Sequence, residues 1–468
     1  MFNRAHQETE VWRLIILRRN ASQVLVFQNA AGFYLPSVAI PAHGRIALAL
    51  NAQVKALWNL DVYSLYPLPA TASSHVTVRY HIVEALQYES VIPQRAQWLP
   101  IGTTTAHQFI EHQDISAIET WIGILARIDP NGHHAPFEIP GWFFDLRDWV
   151  QDTIRPLRLT LTGNFQQFNA SSSFSLMRFE TDAEAVWFKA VGHPNEREFP
   201  LTVLLSNHLS FFTPQVLATQ PPWNAWLTLE VPGSRLTHAQ SLTAWKNAAR
   251  DLARMQLASI DLAETVLCGD LRDVRVAALL AQVEPFFKCL SELMDRQTTD
   301  NPARLSIEDL AQLKTSAHDA LLELRREGVP DSLGHLDLHP ENIIALPERT
   351  VFLDWAEGSV GHPFLSFAHF LEHFLRSSLS SDEAQVCLTR EYATVWESSY
   401  SIKNLDALLR VSTFVAVFAH AVSSDAWHDA LKLQQAPVAS YYRSLARHMK
   451  RYRDRIRVGA SCVSAAPA

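Results

Sequence analysis

The sequence predicts an α+β protein in three successive parts: a compact mixed domain, a small antiparallel β lobe and a large helical lobe. Three observations carry this. Residues 157–229 alternate apolar and polar side chains. From Leu236 onward apolar residues recur at helical spacing. Stretches bearing Pro and Gly separate the parts. The length of 468 residues agrees, because it exceeds one ordinary domain.

In the first part, Val11 to Arg19 and Gln23 to Asn29 are β-rich runs separated by Asn20-Ala21-Ser22, which predicts a hairpin. Ile46, Leu50, Val54, Leu57 and Trp58 then fall on one helical face. Strands are expected around Val62 to Tyr66 and His75 to Ala85, and a second helix around Ala106 to Arg127. Residues 1–130 are expected to form this domain, and residues 131–156 a linker with a lead-in helix. His133 and His134 in the linker read as a surface pair, since no third ligand sits at a suitable spacing.

Residues 157–233 follow as the β lobe. Its strands LRLTLTGNF, SFSLMRFET and EAVWFKAVG alternate, a short helix covers REFPLTVLLSNHL, and WLTLEVPG closes it at Pro-Gly. Residues 234–452 form the helical lobe, with amphipathic stretches at Ala244 to Ser259, Arg275 to Arg296 and Ile307 to Glu327. Residues 453–468 are expected to be a disordered tail.

Composition narrows the function. Hydrophobic residues are 48% and charged residues 19%, which fits a folded chain. A net charge of -8 and a pI near 6.2 speak against nucleic acid as the main partner. Cys268, Cys289, Cys387 and Cys462 are too scattered for a zinc cage or disulfide framework, and read as buried thiols in a reducing compartment. No signal-peptide core precedes the first charges, and no apolar run reaches the roughly 18 residues of a membrane span. The expectation is a cytoplasmic protein without a membrane partner.

The chemistry concentrates in GHLDLHPENIIAL, Gly334 to Leu346, and TVFLDWAEGSVGHP, Thr350 to Pro363. Asp337 and Asn342 stand five residues apart, and Asp354 ends the apolar run twelve residues later. Oxygen donors on one loop and one hairpin end can converge on a hard cation such as Mg²⁺, which usually bridges nucleotide phosphates. Upstream, Lys189 lies on an alternating strand and Glu198 on the helix after it. Glu196 is the rival partner, and Glu198 is preferred because the apolar helical pattern of Phe199, Val203 and Leu204 starts beside it.

His335-x-Asp337, Asn342 and Asp354-Trp355 together resemble the signature of the aminoglycoside phosphotransferase and choline kinase-like family. The stretch LTLEVPG is similar to that family's hinge. The resemblance covers about residues 157–452. It implies a two-lobed protein-kinase-like fold and transfer of the γ-phosphate of ATP or GTP to a hydroxyl of an aminoglycoside-, choline- or sugar-like acceptor. It implies Asp337 as the catalytic base, Asn342 and Asp354 as Mg²⁺ ligands, and Lys189 on the α- and β-phosphates with Glu198 as its partner. His335 and His339 would brace the catalytic loop. Backbone groups near Glu230 and Pro232 would meet the adenine.

The sequence departs from the family's pattern in three places. The phosphate-covering hairpin FNASSSFSL has no glycine, so hydroxyls of Ser171, Ser172 and Ser173 either replace backbone contacts or are solvated turn residues. His362 and Ser366 stand where the family often has Asp. Aromatic residues at Trp355, Phe367, Phe370, Phe374, Trp396 and Trp427 either line the acceptor pocket or pack the core.

The first domain resembles a Nudix hydrolase, an α/β/α fold, in its strand pair, Tyr-Leu-Pro, helix and the later runs VRYHIVEAL and QWLPIG. The positions of that family's metal-binding glutamates fall on Gln53, Ala56 and Leu57, which implies an inactive domain. Two readings of the whole chain therefore stand: a small-molecule kinase, or a catalytically inactive kinase-like nucleotide-binding or scaffold protein. Turnover separates them.

Overall fold

A computed structural model describes residues 9–18, 21–42, 44–69, 78–87, 93–101, 108–127, 135–268 and 271–463. The pair His133 and His134 lies outside these residues. The chain divides into two compact units, residues 1–199 with 215–230, and residues 200–214 with 231–468.

The first unit opens with a mixed sheet. Its strands are β1 (Thr9–Leu17), β2 (Gln23–Asn29), β3 (Gly32–Tyr34), β4 (Ser37–Pro41), β5 (Val62–Pro67), β6 (Arg79–Ala85) and β7 (Ala96–Pro100). The order is β3-β2-β1-β6-β5, with β4 also on β1 and β7 on β2. Only the pairing of β1 with β6 is parallel. Side-chain alternation along β1 feeds two cores. Leu14 and Ile16 pack with Leu50 and Val54 of α1 (Ile46–Trp58), while Ile15 and Leu17 pack with Ile115, Ile118 and Trp121 of α2 (His112–Leu125). Helix α1 stops at Asn59, which takes the left-handed conformation at φ 54°. Gln53, Ala56 and Leu57 lie on its exposed side.

Helix α3 (Trp142–Ile154) leads into a second, antiparallel sheet: β8 (Leu161–Ala170), β9 (Phe174–Thr181), β10 (Val186–Val191), β11 (Val216–Gln220) and β12 (Ala225–Leu229), in the order β11-β12-β10-β9-β8. Trp142, Phe143 and Val150 of α3 share one core with Phe179, Phe188 and Leu227 of this sheet and with Ile15 and Tyr63 of the first. Gln167 crosses the seam. Its Oε1 accepts from Ser64 N at 2.8 Å, and its Nε2 donates to Ser64 O at 2.7 Å.

The second unit is mainly helical. After α4 (Glu198–His208), whose first two residues belong to the first unit, come β13 (Ser234–Arg235), α5 (Leu242–Ala258), α6 (Ala263–Cys268), β14 (Arg272–Val274), α7 (Val276–Asp295) and α8 (Ile307–Glu327). A Ser306–Asp309 capping box starts α8, and left-handed Gly328 ends it. Four short strands interrupt the helices: β15 (Ser332–His335), β16 (Ile343–Ala345), β17 (Thr350–Phe352) and β18 (Gly358–Gly361). They form two three-stranded sheets, β13-β16-β17 and β14-β18-β15. Gly233 lets β13 approach β16, since a Cβ there would stand 2.5 Å from Ile344 Cγ2 and 2.7 Å from Ala345 O. Helices α9 (Phe364–Leu375), α10 (Asp382–Glu397), α11 (Leu405–Val422) and α12 (Ala436–Val463) complete the unit.

Several sequence expectations change here. Helix α12 runs to Val463, through residues expected to form a tail. Cys387 is exposed rather than buried, because it sits on the outer side of α10; Cys289 is half-buried. Helix α11 is apolar enough to match a membrane span in length and composition, with mean hydropathy 1.6 over 18 residues, but half of it is buried within the protein. Its Phe414, Val415 and Phe418 pack in the core of the second unit. Trp355, Phe367, Phe370, Phe374, Trp396 and Trp427 are all core residues of that unit, and none of the six lines the cavity that includes Asp337.

Candidate active site

The site in the second unit is built around a buried imidazole. Strand β15 ends at His335, whose backbone N–H donates to Ser366 Oγ on α9 at 2.8 Å. Ser366 thus braces the loop with its hydroxyl. Gly334 makes the approach possible, because a Cβ there would lie 2.9 Å from Ser359 Oγ and 3.1 Å from Ser366 Oγ. His335 Nδ1 accepts from Asp337 N at 3.2 Å, and Nε2 lies 3.1 Å from Leu353 O. Nδ1 must therefore be unprotonated and Nε2 must carry the hydrogen. Burial holds this ring's pKa below the ordinary histidine value, which favours that neutral form.

The same contacts gather the oxygen-bearing residues. Asp337 projects into solvent from the turn after β15. Asn342 Nδ2 turns back toward Asp337 O at 3.3 Å, and Leu353 N donates to Asn342 O at 2.8 Å. Asp354 follows at once in the left-handed conformation, φ 60°, and is exposed. The Asn342 and Asp354 side chains thus leave adjacent strand ends joined by one backbone bond. An oxygen-only pair of this kind fits Mg²⁺, which keeps waters and substrate phosphates as its other ligands. Among the described residues, no cluster of three or more His, Cys, Asp or Glu side chains is placed to hold a metal by itself.

Two arginines that sequence reasoning passed over tie the loops down. Arg272 on β14 donates to Ala356 O at 2.5 Å and pairs with Glu357 at 3.2 Å. Arg235 donates to Glu341 O at 2.7 Å. His339 Nδ1 accepts from Glu341 N at 3.1 Å, and its ring meets that of His373 edge-on at 4.5 Å. His362 is buried with its Nδ1 3.4 Å from Phe364 N, and burial pushes its pKa down to about 3.

In the first unit, Lys189 on β10 pairs with Glu198 at 2.6 Å, and Glu198 is 2% exposed. Glu196 instead lies half-exposed, 3.7 Å from His193. Lys189 Nζ also sits over the rings of Phe174 and Trp226, at 5.5 and 5.8 Å. The serine hairpin is bound to itself: Ser171 Oγ accepts from Asn169 Nδ2 at 3.2 Å and from Ser173 N at 3.3 Å. Ser172 presses against Gly192, where a Cβ would stand 2.4 Å from Ser172 O. Glu230 spends its carboxylate on Arg178 at 2.7 Å and Trp187 Nε1 at 3.1 Å. Its backbone N–H goes to Ala185 O at 2.9 Å, so that donor is taken. Pro232 has no N–H and offers only its carbonyl.

Beside Asp337 in the second unit is a cavity of about 220 Å³. His369, Glu372 and His373 line it from α9 and Arg376 from the residue that follows that helix, with His420 from α11 and His448 and Tyr452 from α12. Sequence reasoning missed these residues. A signal was present: residues 369, 372 and 373 fall on one face of an otherwise apolar helix.

Residues 172–397 match the model of the phosphotransferase enzyme family (APH). No curated protein matches the chain. Among solved structures it is similar to a macrolide 2'-phosphotransferase from Brachybacterium faecium, at 15% identity over 64% of this chain and 98% of that one, TM-score 0.45. It is also similar to Plasmodium vivax ethanolamine kinase, at 12% identity over 75% of this chain and 96% of that one, TM-score 0.47. A choline kinase from Cryptosporidium parvum gives 12% identity over 73% and 97%, TM-score 0.47. The family to which residues 172–397 are similar is thus the phosphotransferase enzyme family.

Proposed function

We propose that the protein transfers the γ-phosphate of ATP or GTP to a hydroxyl of a small molecule. The observation that carries this reading is the double engagement of His335. One imidazole holds the loop bearing Asp337 through its N–H and the strand end bearing Asp354 through Leu353 O. A catalytic base and a cation site must be held rigidly together if positioning is to lower the barrier.

Asp337 accepts the proton of the acceptor hydroxyl. The acceptor oxygen bonds to the γ-phosphorus, the bond from that phosphorus to the β,γ-bridging oxygen breaks, and the nucleoside diphosphate leaves. Asn342 and Asp354 would hold Mg²⁺, which would supply positive charge to the phosphate oxygens. Lys189, fixed by Glu198, engages the α- and β-phosphates. His335 and His339 keep the loop in place. We read residues 1–130 as Nudix-like and without hydrolase activity, supported by the α/β/α layering and by Gln53, Ala56 and Leu57 on the exposed side of α1.

The test is ATP and GTP consumption with Mg²⁺ against hydroxylated acceptors, for wild type and Asp337→Ala. Acceptor-dependent turnover lost in the variant supports the reading. Binding of nucleotide without turnover for any acceptor favours an inactive, nucleotide-binding protein.

A further inference from the structure

The cavity beside Asp337 has a chemical character that the proposed phosphotransfer leaves open. Its one carboxylate apart from Asp337 is Glu372, and both oxygens of that group are engaged. Oε1 accepts from Arg376 Nη2 at 2.6 Å, and Oε2 accepts from the Tyr452 hydroxyl. Arg376 thereby neutralises the Glu372 charge, which weakens its pull on an incoming ammonium. Tyr452 is the one carbocyclic aromatic in the lining, so a quaternary ammonium would find no cage of aromatic faces. An anionic acceptor fares no better, because Arg376 is already paired and Asp337 and Glu372 repel it.

Imidazoles dominate the wall instead. Burial pushes His369 down to about 3 and His373 down to about 4, and it lowers His420 as well, so these rings are neutral near pH 7. A neutral imidazole offers one N–H and one lone pair, the pairing that a hydroxyl group satisfies in both senses. The ring of His373 stands against His339 and makes no hydrogen bond among the described residues. His420 engages Tyr441 through Nε2, at 2.7 Å. Leu336, Ala368, Ala416, Val417 and Leu445 add an apolar wall suited to the C–H face of a ring. The volume of about 220 Å³ lies below the range of roughly 300–1,000 Å³ that drug-sized ligands occupy.

We propose that this cavity is the acceptor pocket for a compact, uncharged polyhydroxyl compound of monosaccharide or cyclic-polyol class, gripped by the imidazoles of His369, His373 and His420. This rests on the phosphotransfer reading above.

The test measures nucleoside diphosphate release at pH 7.5 with Mg²⁺ and ATP or GTP, using three acceptor classes. These are aldoses and cyclic polyols; choline, ethanolamine and kanamycin; and small hydroxy acids. The expected result is a kcat/KM for the best uncharged acceptor about 100-fold above the best charged one. For that acceptor, His373→Leu should raise KM roughly tenfold with little change in kcat, and His373→Gln should recover most of the loss. Turnover confined to ammonium or carboxylate acceptors leaves phosphotransfer standing and overturns this inference alone. An unchanged KM in His373→Leu also overturns it. No turnover with any class overturns both readings.

Discussion

His335 Nε2 donates to the carbonyl of Leu353 at 3.1 Å, while Nδ1 of the same ring accepts the N–H of Asp337 at 3.2 Å. A fully buried side chain thus fastens two loops that carry the candidate base and a candidate metal ligand. His335→Leu keeps the volume and removes both bonds. The buried Leu353 carbonyl and the Asp337 N–H then lose their partner, at a cost of about 2–4 kcal/mol. Loop displacement should lower turnover by about 10²-fold. Urea unfolding and diphosphate release check both figures; an unshifted midpoint with full turnover would remove the bracing role.

Asp337→Asn should behave oppositely. The carboxylate is exposed, so stability should stay within about 0.5 kcal/mol of wild type. Turnover should fall by about 10²–10⁴, the range for a lost general base. Thermal melts alongside initial rates separate the two effects.

Lys189 and Glu198 form a pair with side chains 12% and 2% exposed. Lys189→Met removes the ammonium 2.6 Å from a buried carboxylate and should destabilise by about 3–5 kcal/mol. Lys189→Met with Glu198→Gln should recover much of that stability and no turnover. Recovery of turnover in the double variant would show that Lys189 serves stability alone.

Gln167 exchanges two hydrogen bonds with the backbone of Ser64 and accepts a third from Asn51 Nδ2 at 3.1 Å. Gln167→Leu leaves the Ser64 N–H and C=O buried and unpaired, costing about 2–5 kcal/mol. Because the two sheets of the first unit share one core, removing residues 1–134 should expose that core and make the remainder insoluble. Limited proteolysis of the variant and solubility of the truncation are the measurements.

His81, His362 and His369 are each pushed by burial to about 3. Their folded values lie below the unfolded value near 6.5, so the unfolded chain takes up protons first as the solution is acidified. Their contribution is therefore intact above about pH 6.5 and is lost as pH falls from there toward 3, by at most about 1.4 kcal/mol per pH unit for each ring. Unfolding free energies at pH 7.5 and 5.0 should differ accordingly, and His362→Phe should flatten the slope. A pH-independent midpoint in wild type would contradict this account.

Much of this protein is legible in one dimension. The helix from Ile307 to Glu327 has its capping residue before it and its glycine after it. The hairpin of β1 and β2 follows from alternation around a short polar turn. Asp337, Asn342 and Asp354 lie within one short stretch, where turn geometry alone keeps them near each other. Other features were not legible. Support of the loop by the Ser366 hydroxyl is one, since any acceptor at that depth suffices for the His335 N–H. The aromatics offered as pocket residues went to the core.

What the sequence determined by itself is therefore what periodicity and short-range spacing encode: the order of sheets and helices, and the clustering of Asp337, Asn342 and Asp354. Tertiary structure decided the rest. It sealed Glu372 between Arg376 and Tyr452. It also brought His369, His420 and His448 from α9, α11 and α12 to one wall. Those meetings depend on how helices rotate and cross, which is set by packing among side chains distant in the chain. No local rule contains that information.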